Sequence, residues 1–451
     1  MTIQINPREI AVQALLEILK EEKYNTTVLR KLLKQNGAMP PKDRAFVTEI
    51  VNGSLRNLYY IDFVIDNVSH VKMKKIKPYI LAVLRTAIYQ LYFMKVPENA
   101  ICDESVKLVK KRGLTSLSGF VNAVLRNAIR QKDSIVFPDE KQYAVEYLCL
   151  KYSHPIWLLK MWLHQYDYDF VKALCIQNNV APDVSIVVNT LCTTKQELKK
   201  ELEQCGIVVK ESKYYQNVLH LQKTANIAKL QSYHNGKFHV QDESSVTAVE
   251  VLSPQPNESI LDICAAPGGK SFLIAEKMQN KGNIYSCDIY QHKLELLQEG
   301  AERLSISIIT PKQQDGTIYQ KQYEKAFDRV LVDAPCSGLG LIRKKPDIRL
   351  KKNGNDIDNI LIVQKNILKQ AAQYVKQNGI LVYSTCTICK KENEKNVEWF
   401  LEQYKNFELE DIRTYLPSEF YSETAENGYV TLYPHIHHTD GFFIARFIRK
   451  E

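Results

Sequence analysis

Apolar positions in the first third of the chain recur at three- and four-residue intervals. Ile10, Ala14, Leu15 and Ile18 share one helical face, and Val47, Ile50, Val51 and Leu55 share another. Ile80 to Met94 is apolar nearly all round, the pattern of a helix buried at a domain centre. Pro40, Pro41, Pro78 and Pro97 punctuate the run, so residues 5–132 read as an all-α region. Residues 134–168 read as a connector, ending in Ser153-His-Pro-Ile-Trp157 and a Trp/Tyr-rich helix. From about 170 to 238 a β-branched stretch (Val184–Asn189), a Lys/Glu helix (195–204) and a second β-branched stretch (207–209) predict a small α+β module.

The pattern changes again near 239. Apolar strands at Ile260–Cys264, Ile284–Cys287, Ile306–Ile309, Val330–Asp333 and Ile380–Ser384 alternate with amphipathic helices. That alternation predicts a parallel sheet covered on both faces. The end of the chain breaks it. Tyr429–Tyr433 and Phe442–Ile448, joined by a short connection, predict an antiparallel edge. The expected domains are therefore 1–133, 134–238 and 239–451, with no internal repeat.

Charge sharpens this division. Residues 1–133 carry 22 Lys+Arg against 12 Asp+Glu, and the other 318 carry 38 against 39. A basic helical module joined to a near-neutral α/β one suggests a polyanion held by the first and processed by the second. No apolar run reaches the ~18 residues needed to cross a bilayer. Arg8 and Glu9 precede an amphipathic stretch, unlike a secretory signal, so a cytoplasmic protein without a membrane partner is expected. The ten cysteines are scattered. Only Cys386 and Cys389 have C-x-x-C spacing, with no second pair, so no metal is expected.

Candidate chemistry sits at the strand tips. The first parallel strand runs into Leu261-Asp-Ile-Cys-Ala-Ala-Pro-Gly-Gly-Lys-Ser271. A strand, a turn of small residues and a helix present backbone N–H groups to a ligand. Gly-Gly-Lys-Ser followed by Val-Leu-Val-Asp333 also looks like a nucleotide-triphosphate motif pair. That motif needs a glycine where Cys264 stands, and Pro267 removes a donor from the would-be phosphate nest. Asp288 closes the second strand about 20 residues past the glycines, where doubly wound folds hold a ribose. Asp315 follows the third strand; it is either an adenine contact or a turn Asp before Gly316. The fourth strand ends in Asp333-Ala-Pro-Cys-Ser-Gly338 and the fifth in Tyr383-Ser-Thr-Cys-Thr387. Two cysteines, Cys336 and Cys386, thus converge beside an Asp on one rim. From position alone either thiol is a candidate nucleophile. Cys389 is read as structural, because a redox C-x-x-C opens a helix after the first strand of its fold.

Two resemblances bear on these motifs. Arg85-Thr-Ala-Ile-Tyr-Gln-Leu-Tyr-Phe-Met-Lys-Val-Pro97, Val106-Lys-Leu-Val-Lys110 and Gly119-Phe-Val-Asn-Ala-Val-Leu-Arg126 resemble NusB-type RNA-binding domains. Cys-Ala-Ala-Pro-Gly-Gly-Lys270, Asp-Ala-Pro-Cys-Ser-Gly338, Ser-Thr-Cys386 and Asp440-Gly-Phe-Phe-Ile-Ala-Arg446 resemble RNA cytosine-C5 methyltransferases of the NOL1/NOP2/Sun family. Together they point to its bacterial branch acting on 16S ribosomal RNA. The resemblance implies a multidomain chain: an all-α NusB-like RNA-binding domain, a small α+β module, and an α/β Rossmann-like methyltransferase domain with a mostly parallel seven-stranded sheet. It also implies S-adenosylmethionine as cofactor, held by Cys264, Ala265, Ala266, Pro267, Gly268, Gly269, Lys270, Asp288, Asp315 and Asp333.

Cytosine C5 is too weak a nucleophile to take a methyl group unaided, and a thiolate adding to C6 overcomes this. The resemblance gives that attack to Cys386, a stabilising carboxyl to Asp333 and assistance in release to Cys336. Lys270 is a candidate to favour the thiolate. The expected partner is 16S ribosomal RNA, free or in an assembly intermediate, bound by a monomer. A tRNA methyltransferase and a non-catalytic RNA-binding assembly or antitermination factor are the alternatives. Arg343-Lys-Lys-Pro-Asp-Ile-Arg-Leu-Lys-Lys352 is expected to contact RNA phosphate, and its Leu350 stands where many relatives carry Trp.

Overall fold

In the computed structural model, which describes residues 6–222 and 227–450, the helical periodicity of the first third becomes seven α-helices: Pro7–Lys20, Asn25–Gln35, Pro41–Arg56, Leu58–Val68, Pro78–Phe93, Glu98–Lys111 and Ser118–Arg130. Three of them open on a proline, which fits the first turn because its N–H would have no intrahelical acceptor. The Asn6 side chain accepts the Arg8 N–H at 2.9 Å and caps the first helix. Helix Pro78–Phe93 buries Ile80, Val83, Leu84, Ala87, Ile88 and Leu91, as its all-round apolar pattern requires. Its Arg85 makes a two-pronged ion pair with Asp62, both distances 2.7 Å.

The stretch expected as a connector is helical as well. Ala144–Tyr152, Ile156–Leu163 and Tyr168–Asn178 bury Leu148, Leu158, Leu159, Trp162 and Leu174. The compact helical unit therefore runs to Ala181, and it also takes in Ile342–Asn353 from far along the chain. This insertion corrects the expectation for the cationic run. Arg343 and Arg349 are 5% and 1% exposed, so neither guanidinium is placed for RNA phosphate. Arg349 donates to Ser153 O at 2.7 Å, to Asn179 Oδ1 at 3.0 Å, and to Arg56 O and Asn178 O at 3.3 Å. The Asp347 carboxylate accepts the Asn25 N–H at 3.0 Å, and Leu350 packs on the core around Val28 and Leu29. Burial and the nearby Arg56 push the Arg349 pKa down to about 9, because carbonyls surround it where a carboxylate would be needed. Lys344 and Lys345 remain exposed.

Arg349→Ala leaves three buried carbonyls without their donor. A loss of roughly 3 kcal/mol is expected from that unit, read as a lower urea midpoint in a helix-sensitive signal. An unchanged midpoint would contradict the anchoring role.

The second unit holds two sheets. The smaller is antiparallel, with strands β1 (Val184–Val188), β2 (Val208–Glu211), β3 (Val218–Gln222) and β4 (Phe238–Val240) in the order β2-β3-β1-β4. Helix Lys195–Gln204 covers it, opened by a reciprocal cap between Thr194 and Glu197. The larger sheet contains β5 (Ser259–Asp262), β6 (Asn283–Asp288), β7 (Ile309–Gln313), β8 (Phe327–Asp333), β9 (Val375–Thr385), β10 (Phe407–Leu409), β11 (Tyr429–Leu432) and β12 (Phe442–Arg449). Seven strands form the path β10-β12-β9-β8-β5-β6-β7, and β11 pairs beside β12. β5 to β9 run parallel, while β12 pairs antiparallel with β9, β10 and β11.

Several strands differ from expectation: β3 and β4 had no expected counterpart, and β9 begins at Val375, five residues early. β7 begins at Ile309, three residues late. Ser305 takes a left-handed φ of 57°, and the Ile306 N–H bonds Ala301 O, so this stretch closes the preceding helix. β10 is three residues long, too short to show a period. The order reverses between β5 and β8, which opens a crevice beyond the parallel strands' C-terminal ends.

Candidate active site

β5 ends at Asp262, and the chain turns through Cys264 to Gly268 into helix Gly269–Lys277. Gly268 has φ +111°, and a Cβ there would stand 2.5 Å from the Phe272 ring, so only glycine fits the turn. The Lys270 ammonium reaches Asp333 Oδ2 at 2.7 Å. Burial pulls the Lys270 pKa down, but the Asp333 carboxylate outweighs it and the balance is raised, so the ammonium stays charged. Asp333 Oδ1 accepts the Ser384 hydroxyl at 2.9 Å, so both carboxylate oxygens are fixed from neighbouring elements.

Cys336 and Cys386 face each other with sulfurs 2.9 Å apart. The hydrogen bond to Cys386, then burial, raise the Cys336 pKa well above the ordinary thiol range, so Cys336 is held as a neutral thiol. The Cys386 carbonyl accepts the Gly340 N–H at 3.0 Å, and Gly340 O in turn accepts the Gly441 N–H at 3.0 Å. A Cβ on Gly340 would fall 1.8 Å from Gly441 O, so this contact requires glycine. Cys389 is fully buried, its pKa pushed up to about 11 by burial, away from solvent and reagents.

The other candidates lie at neighbouring tips. Asp288 Oδ1 accepts the Tyr290 N–H at 3.0 Å and lies 3.9 Å from the Lys293 ammonium. Asp315 Oδ1 accepts both the Thr317 N–H (2.9 Å) and the Thr317 hydroxyl (2.7 Å), the geometry of a turn aspartate. Burial drives the Cys264 thiol pKa well upward, which marks a packing residue.

Several residues of the site were not anticipated. Asp262 is fully buried under the glycine turn, accepts the Ser271 hydroxyl at 2.7 Å, and leaves Oδ1 without a partner. A lone Asp inside the apolar strand Ser-Ile-Leu-Asp262 was the available signal. A buried polar group made of Ser337, Gln364, Glu392, Asn393 and Asn396 lies behind both cysteine loops. Nothing in the sequence marks it.

A mostly parallel sheet with an antiparallel end, a glycine turn after its first parallel strand and acidic side chains at the next tips define a Rossmann-like methyltransferase. A profile for 16S rRNA methyltransferase RsmB/F matches residues 249–448, the NusB family profile matches 5–130, and the ferredoxin-like domain of RsmF/B-like methyltransferases matches 154–228. A Bacillus subtilis protein described as probable ribosomal RNA small subunit methyltransferase B is 35% identical over 98% of both chains. Its Synechocystis counterpart is 33% identical over 98% of this chain and 99% of its own. The solved structure of PH0851 is 28% identical, with a TM-score of 0.82 covering 100% of both chains. The chain belongs to the ribosomal RNA small subunit methyltransferase B family. Both resemblances read from the motifs are thereby shown, and so is the three-part fold.

Proposed function

We propose that this protein methylates C5 of a cytosine in 16S ribosomal RNA, with S-adenosylmethionine as donor and Cys386 as the attacking thiol. The observation that carries the proposal is the pair of sulfurs 2.9 Å apart beside the Lys270–Asp333 ion pair. Two thiols at one rim suit a reaction that makes and then breaks a carbon–sulfur bond.

The residues at the strand tips fit the cofactor. Gly268 lets the turn pack closely on Phe272, a Cβ on Gly269 would meet nothing nearer than Gln241 at 3.9 Å, and helix Gly269–Lys277 starts there. Asp288 is suited to a pair of ribose hydroxyls, and Asp315 to the adenine side. When bound, S-adenosylmethionine supplies an electrophilic methyl group. Cys386 Sγ adds to cytosine C6, and the C5–C6 electron pair becomes available at C5 to form the new bond. Asp333, oriented by Lys270 and Ser384, holds the N3/N4 edge of the base. Water takes the C5 proton, the electron pair it leaves restores the C5–C6 double bond, and the C6–sulfur bond breaks with its pair on Cys386. Cys336, kept neutral, assists that release by donating its S–H to the departing sulfur. The base must leave any stack to reach these atoms, which favours an unpaired region of free or partly assembled RNA.

The test is transfer of labelled methyl from S-adenosylmethionine to a 16S transcript, with bisulfite sequencing of the product. The expected result is label at one protected cytosine. Label on tRNA alone would move the substrate, and no label on any RNA would leave a binding factor.

A further inference from the structure

Two adjacent residues after β9 each grip one cysteine loop, and the loops also meet directly where the Ser337 and Thr387 hydroxyls lie 3.0 Å apart. The Glu392 carboxylate accepts the Ser337 N–H at 2.8 Å, the Ser337 hydroxyl at 2.5 Å and the Gln364 amide at 3.1 Å. Gln364 also donates to Pro335 O at 3.0 Å, so the residues on both sides of Cys336 are held. Asn393 does the same for the other loop. Its Oδ1 accepts the Thr385 hydroxyl at 2.6 Å and its Nδ2 donates to Thr387 O at 2.9 Å, on both sides of Cys386. The grip is itself anchored. Tyr383 donates to Glu392 O at 2.7 Å, and Asn396 donates to Glu392 O at 3.1 Å and to Gln364 at 2.8 Å. Glu392, Asn393, Gln364, Thr385 and Thr387 are each 0% exposed. No cation pairs with Glu392 among the described residues, so these donors alone hold its carboxylate.

A buried carboxylate satisfied only by neutral donors is costly, and structure alone would be served as well by an amide. Its position next to Cys336 supplies a use. A fixed negative charge there disfavours the Cys336 thiolate, in the same sense as the contact with Cys386.

We propose that Glu392 and Asn393 form a divided positioning clamp, in which Asn393 sets the attacking loop and Glu392 sets the releasing loop and keeps its thiol neutral. The inference rests on the assignment of Cys386 to attack and Cys336 to release. It predicts that the two prongs fail differently. Asn393→Ala, or the milder Thr385→Val if the first does not fold, slows adduct formation on 5-fluorocytosine RNA roughly tenfold. Neither changes the pH profile of Cys336 alkylation by iodoacetamide, read by peptide mass spectrometry. Glu392→Gln forms the adduct at the wild-type rate, moves the Cys336 alkylation midpoint down by about one pH unit, and lets adduct accumulate on ordinary cytosine RNA.

Variants retaining the wild-type melting temperature are compared. If both prongs change the two readouts alike, or neither changes either, the clamp is only structural and the inference fails. A wild-type protein that makes no adduct would sink the cysteine assignment instead. The alkylation profile of Glu392→Gln, which needs no RNA, then still decides whether Glu392 controls Cys336.

Discussion

Cys386→Ser is expected to lower methyl transfer at least a thousandfold, and Cys336→Ser to trap the protein on its RNA. Serine nearly preserves volume, so packing around the sulfur pair changes little. What it removes is nucleophilicity, since a hydroxyl is far less acidic than a thiol. A thousandfold is about 4 kcal/mol of barrier, a reasonable loss when the covalent route closes. Cys336→Ser leaves the attacking sulfur in place but removes the neutral thiol beside it at 2.9 Å. Addition and methyl transfer then proceed, release stalls, and a band of RNA-linked protein should survive denaturing electrophoresis. The two variants also separate the assignments left open by strand position alone. If Cys336 were the nucleophile, Cys336→Ser would be the variant without adduct and Cys386→Ser the one that accumulates it. Equal loss without adduct in both would speak against covalent catalysis by either.

The parts of the site that could be read from the sequence are those that local chain order determines. The glycine turn, Asp333, Cys336 and Cys386 each lie at the tip of a strand whose apolar run is unmistakable. The rule that ligands gather outside parallel strand ends places them together. The parts that stayed hidden depend on burial created by distant segments. Lys390-Lys391-Glu392-Asn393-Glu394 has the composition of a solvated loop, yet Glu392 and Asn393 are enclosed by Ser337, Gln364 and Tyr383. Arg349 misled in the same way. Its neighbours in sequence are cationic, whereas its neighbours in space are Ser153, Asn178 and Asn179, 170 to 196 residues away. The twelve-residue insertion Ile342–Asn353 has no compositional boundary, so the pattern of the surrounding α/β elements concealed it. Choosing between the cysteines needed the family resemblance.

Asp262→Asn is expected to stabilise the α/β unit at pH 8 and to do progressively less as the pH falls. Asp262 is fully buried, and burial moves its pKa from the ordinary aspartate value up to about 7 despite the Ser271 hydrogen bond. In the unfolded chain the carboxyl titrates near 4, so between about pH 4 and 7 the folded protein binds the extra proton. Stability therefore falls with rising pH across that window. The contribution is complete below the unfolded pKa and lost as the pH passes the folded one. About three units at about 1.4 kcal/mol each gives roughly 4 kcal/mol between the two ends. Asparagine keeps the shape and the acceptor for Ser271, supplies an amide proton near the unpartnered oxygen position, and cannot ionise. Urea midpoints of variant and wild type should then separate from pH 5 to pH 8.5, the variant curve lying higher and flatter. Parallel curves would mean that Asp262 is ionised throughout and is solvated in a way its burial does not suggest. The same titration reaches the site, because above pH 7 a second carboxylate charge appears under the turn that carries Lys270. That charge adds to the Asp333 carboxylate in holding the Lys270 ammonium proton.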